Sequence, residues 1–141
     1  MPVKLPISRL RKHCDPFVNC PWHCAKITKE DVAKAITEKR FIDHPVKDVS
    51  SKMHIERIAW LVVNSWNDAI ELDIGIPSMG CYVNWFVQDG NHRLAAAIYR
   101  RDKNILSGVT GSLEYALELF GVDCDERKAK RSIRISTRKV C

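Results

Sequence analysis

No apolar run in this 141-residue chain is long enough to cross a membrane as a helix. The opening Met1-Pro2-Val3-Lys4-Leu5-Pro6 lacks the apolar core and small-residue cleavage site of a signal peptide. The expectation is therefore a cytoplasmic protein with no membrane contact. Internal repeats and low-complexity segments are also missing, so nothing points to a stacked-repeat chain. Paired Cys-x-x-Cys knuckles are absent, which excludes standard zinc fingers and ribbons although six cysteines are present. Without an export signal these cysteines read first as thiols.

What is present is enough for one domain with one core, since 45% of the residues are apolar. A formal net charge of +6 points to an anionic partner: a nucleotide, DNA or RNA, or an acidic protein face. The basic residues gather at both ends. An arm runs over 2–12, and a tail over 122–141 holds Arg127, Lys128, Lys130, Arg131, Arg134, Arg138 and Lys139. The tail reads either as solvated chain, with Ile133 and Ile135 adding an edge strand, or as an electrostatic contact to nucleic acid.

Hydrophobic spacing predicts a mixture of helices and strands. Leu5, Ile7 and Leu10 suit an extended arm or first edge strand. Thr28 caps a helix that ends near Arg40 or Phe41, with Asp31 at the capping-box position. A second helix covers Met53 to Asn67, and a short extended piece is expected around Val46 to Val49. Two strands follow, over Ala69–Gly75 and Cys81–Val87, and antiparallel pairing is the economical connection. A helix after Gly90, a short strand at Asn104–Gly108 and a helix from Ser112 to Phe120 complete the pattern.

Two stretches carry chemistry. His13 to Cys24 is dense in metal-ligand types, and Cys14, Cys20 and Cys24 with His23, or with His13 in its place, supply the N and S donors that a tetrahedral Zn²⁺ takes. The same residues also read as small apolar side chains packed around Phe17 and Trp22, or as a redox pair of Cys20 and Cys24. The other stretch is Gln88 to Ala97, where a strand meets Gly90 and then an alanine-rich helix. Free N–H groups at a helix start suit an anion, Gly90 allows close approach, and His92 and Arg93 add charge and hydrogen bonds. Asp89 is the acid of this turn, and it can cap, brace His92 or Arg93, or stand near a metal. His54, Glu56 and Arg57 in the preceding helix either face a ligand or form a solvated helix end.

Asp89-Gly90-Asn91-His92-Arg93-Leu94-Ala95-Ala96-Ala97 in this strand-to-helix setting resembles the ParB/sulfiredoxin superfamily, over roughly residues 42–121. The resemblance implies a small α+β domain with a mixed sheet and packed helices. In it, Gly90, Asn91, His92 and Arg93 would bind nucleotide phosphates, with Asp89 as a supporting or metal-adjacent acid. Members use the pocket for CTP-switched DNA clamping, ATP-dependent sulfinic acid reduction, amino-acid phosphorylation or nuclease activity. Sulfiredoxins place a catalytic cysteine where Asn91 stands, so sulfinic acid reduction is disfavoured. Only about twenty residues follow Gly121, too few for the DNA-binding and dimerisation domains of a partition protein.

The resulting expectation is a protein that binds ATP, ADP or CTP with Mg²⁺ and hydrolyses or transfers a phosphate, or cleaves nucleic acid. Glu56, Asp89, Asp73 and Glu71 are the candidates for an activating acid or base, with Asp89, His92 and Glu56 placed first as catalytic. The alternative is a non-catalytic nucleic-acid- or protein-binding accessory module, of a phage or mobile-element kind, that keeps the pocket as a sensor or relic.

Overall fold

A computed structural model of the protein describes residues 2–125. The basic tail from 126 onward, including the strand expected around Ile133 and Ile135, lies outside the described residues. The chain runs β1 (Val3–Pro6), α1 (Ile7–Leu10), α2 (Lys29–Thr37), α3 (Ser51–Asn64) and β2 (Ile70–Asp73). It continues through a 3-10 turn (Pro77–Met79) to β3 (Val87–Asp89), α4 (Asn91–Arg100), β4 (Asn104–Thr110) and α5 (Leu113–Phe120).

The four strands form an open mixed sheet in the order β1-β4-β2-β3. β1 pairs antiparallel with β4, Leu5 opposite Ile105. β2 lies parallel to β4, Leu72 opposite Val109, and antiparallel to β3, Glu71 opposite Asp89. A parallel pair needs a long crossover, and the chain from β2 makes it through β3 and α4. The alternation read in β2 is real: Ile70 and Leu72 are buried, while Glu71 is exposed. Leu94 to Ile98 of α4 are all buried, and the run of three alanines within them admits close packing. α3 packs against both α2 and α4, so the starts of α3 and α4 are held together.

Local chemistry accounts for several boundaries. Thr28 and Asp31 make the full capping box of α2, with bonds of 3.2 and 2.9 Å. Ser112 accepts from the Tyr115 N–H at 3.3 Å to start α5, and Gly121 ends it in a left-handed conformation.

The structure also corrects the sequence reading. Ile7 to Leu10 form a helical turn rather than part of a strand. The piece from Val46 to Val49 joins no sheet, and of its apolar pair Val46 is buried while Val49 is exposed. α3 stops at Asn64 because Ser65 takes a positive φ, which leaves Trp66 beyond the helix with Arg100 over its ring. Of the strand expected from Cys81, only the last residue, Val87, enters the β3 ladder. A bulge at Glu71/Leu72 limits the partner strand, and the Phe86 N–H bonds to the Cys14 sulfur at 3.2 Å rather than to a strand carbonyl. Upstream, Cys81 pairs only with Ile76 as an isolated bridge. No helix among the described residues is long and apolar enough to cross a membrane.

Candidate functional site

The junction at Gly90 is built by packing as much as by any ligand. Gly90 has φ of 106°, and a Cβ there would run into the Ile70 side chain. That contact presses the start of α4 onto β2, with the backbone N–H groups of its first turn left without intrahelical carbonyls. Arg93 completes the join. Its Nη1 donates to the carbonyls of Asp68 and Ala69 at 3.0 and 3.1 Å, and its Nη2 to the Asp89 carboxylate at 3.1 Å. Asp89 therefore braces Arg93 from an exposed position.

Asn91 points to a different surface. Its Oδ1 accepts from the Trp85 indole at 2.8 Å, and it lines a recess with Cys20, Pro21, His23 and Gln88. Gly90, His92 and Arg93 instead line a cleft of about 540 Å³ with Asp89, Arg57, Trp60, Trp66 and Asp68. Its aromatic and cationic residues lie close together: Arg57 sits over the Trp60 ring at 5.2 Å. Burial and the nearby Arg93 guanidinium lower the proton affinity of Arg57.

The centre of the site is a pair of imidazoles. His54 of α3 is almost fully buried, and its Nδ1 lies 2.7 Å from Nε2 of His92, while its Nε2 lies 2.6 Å from the Asp48 carbonyl oxygen. A carbonyl only accepts, so His54 carries its proton on Nε2. In the neutral ring Nδ1 is then an acceptor, and His92 donates to it from Nε2. The remaining position of His92 is the Nδ1 lone pair. Trp22 stacks on both rings, with centroids at 4.9 Å from His54 and 4.5 Å from His92, each tilted by 17°.

Both imidazoles are held neutral. Burial lowers the pKa of His54, and burial together with His54, Arg57 and Arg93 drives that of His92 down to about 3. Of the first-turn residues of α3 read as ligand-facing or solvated, His54 is neither exposed nor idle, and Arg57 reaches the cleft. Glu56 does not line the cleft; it is paired with Arg40 at 2.9 Å. Glu71 is exposed on β2, and the Asp73 carboxylate accepts from the Gly75 N–H at 3.0 Å.

The Cys/His stretch separates into parts. Cys14 is buried, its sulfur bonded to the Phe86 N–H, and burial raises its pKa. Cys20 and Cys24 are neighbours at 3.0 Å, while His23 is exposed with φ of 56°. Among the described residues no three His, Cys, Asp or Glu side chains converge as metal ligands would. Trp22 and His54 are the parts of the site that the motif alone did not mark. The signal for His54 was its place three residues before Arg57 on a predicted helix; no spacing rule links Trp22 to residues seventy positions later.

No family model, curated protein or solved structure matches the chain.

Proposed function

We propose that this is a ParB/sulfiredoxin-like protein whose cleft between α3 and α4 binds the phosphate groups of a nucleotide, ATP, ADP or CTP. The observation that carries the reading is the convergence of Arg57, His92 and Arg93 on one cleft at the start of α4. Arg57, whose charge is disfavoured by burial and by the neighbouring Arg93, gains from an anion bound beside the helix start. Trp60 and Trp66 on the same cleft offer flat apolar surface for a base.

Phosphoryl transfer or hydrolysis, of a nucleotide or of a nucleic-acid backbone, asks chiefly for positioning and charge stabilisation. Arg57 and the α4 N–H groups would hold the phosphate, and Arg93 would keep the turn in place while offering its unused N–H groups. His92, neutral and with Nδ1 free to accept, suits a water or hydroxyl proton better than a charged phosphate oxygen. Asp68 and Asp89 line the cleft, and one or two carboxylates with substrate phosphates are what Mg²⁺ takes. A bound Mg²⁺ would neutralise phosphate charge.

Two observations favour the second reading, a binding module that uses the pocket as a sensor and contacts DNA, RNA or protein through its basic arm. Arg93 and Asn91 both make bonds that the fold itself needs, and Glu56 stands outside the cleft. Nucleotide titration followed by product analysis separates the two. Binding with phosphate release or backbone cleavage supports the enzyme, and binding without product supports the sensor.

A further inference from the structure

We propose that Cys20 and Cys24 are a redox-active dithiol, and that its oxidation to an intramolecular disulfide fastens Trp22 over the His54–His92 pair. Three observations carry this. The two sulfurs already lie 3.0 Å apart in one short loop, each half-buried. Cys20 also lines an open surface recess of about 460 Å³, with Pro21, Trp85 and Gln88, so a small disulfide molecule has access to it. The residue midway between the cysteines, Trp22, stacks on both imidazoles at 4.9 and 4.5 Å. A disulfide bond is about 2 Å long, so roughly 1 Å of sulfur movement closes a ring that contains Trp22.

The oxidant by class is a low-molecular-weight disulfide such as oxidised glutathione. The Cys20 thiol gives its proton to solvent, and its sulfur attacks one sulfur of the oxidant, breaking that S–S bond and releasing one glutathione thiol. The Cys24 thiol then loses its proton, and its sulfur attacks Cys20 in the mixed disulfide, releasing the second glutathione. The two protein thiols are thereby oxidised by two electrons and the glutathione disulfide is reduced. Cys14 is not a competitor, because it is buried in the core with its sulfur taken by the Phe86 N–H.

Crosslinking the loop removes conformations in which Trp22 swings off the rings. His92 then stays covered and neutral. The inference stands apart from the phosphate reading, since neither part needs a nucleotide.

The test equilibrates the full chain with defined mixtures of reduced and oxidised glutathione, then alkylates it under denaturing conditions and maps the His13–Lys26 peptide by mass. The expected result is loss of the mass of two hydrogens and of two alkyl tags, at Cys20 and Cys24, while Cys14 keeps its tag. In the same samples, deuterium exchange at the His92 ring carbon between the nitrogens should slow roughly threefold or more on oxidation, as local opening is suppressed. Treated Cys24→Ser protein should show no such slowing. The proposal is overturned if both thiols stay fully alkylated across the glutathione series, or if the bridge involves Cys14. It is equally overturned if the purified protein carries stoichiometric zinc on these thiols, or if His92 exchange is the same in both states.

Discussion

At the scale of single residues, the protein rests on a few positions with no freedom to change. Gly90 is one: a methyl group there meets Ile70 while the backbone stays at positive φ. Gly90→Ala should cost about 2 kcal/mol or more, read as a lower denaturant midpoint with an unchanged slope. His92 makes a pH-dependent contribution whose sign follows from its lowered pKa. In the unfolded chain its imidazole takes a proton near pH 6.5, and in the fold only near 3. Between those values the unfolded chain holds the extra proton, so stability is full above pH 6.5 and falls as the pH drops, by up to about 1.4 kcal/mol per unit. Urea titrations from pH 7 to 4 should show a shallower decline for His92→Gln than for the wild type. Parallel declines would mean that His92 is not held neutral. The motif made His92 and Arg93 legible in the sequence, but not their division of labour. Arg93 ties down the Asp68 and Ala69 carbonyls, contacts set by where β2 begins, and no local pattern records that.

At the scale of elements, helices were easier to read than strands because their signals are local. The Thr28–Asp31 capping box, the Ser112 cap and the Gly121 stop each sit within four residues of the backbone they satisfy. Thr28→Ala should therefore destabilise the protein by about 1 kcal/mol, measurable by chemical denaturation. Ile70–Asp73 was legible for the same reason, its alternation being a local pattern. Cys81–Phe86 had strand composition but joins no continuous ladder, since the bulge in β2 interrupts the pairing and the Cys14 sulfur, distant in sequence, takes the Phe86 N–H. The register of β1 against β4, and the parallel pairing of β2 with β4, were likewise beyond a local reading. So was the approach of the Cys20–Cys24 loop to α3 and α4. Asn91→Ala should expose this long-range dependence: losing the Trp85 bond should raise amide exchange in the 81–86 loop while leaving α4 protected.

At the scale of the whole molecule, the crossover from β2 to β4 sets the start of α4 beside α3, and that placement brings Arg57, His92, Arg93 and the two tryptophans onto one cleft. The same packing buries His54 beside His92, and the loop that carries Trp22 stacks that ring across the pair. A site assembled from the 20s, 50s and 90s of the chain responds as a unit, so ligand binding at the cleft should stabilise the whole fold. The most direct measurement is a thermal-shift titration with ATP, ADP and CTP, each with Mg²⁺, on the wild type, Arg57→Ala and His92→Ala. Near one hundred times Kd a ligand adds about 2.7 kcal/mol, a rise of several degrees for a chain of this size. The account predicts that rise for at least one nucleotide in the wild type, most of it kept in His92→Ala, and its loss in Arg57→Ala. An unchanged melting temperature with every nucleotide, or an equal rise in all three proteins, would contradict it.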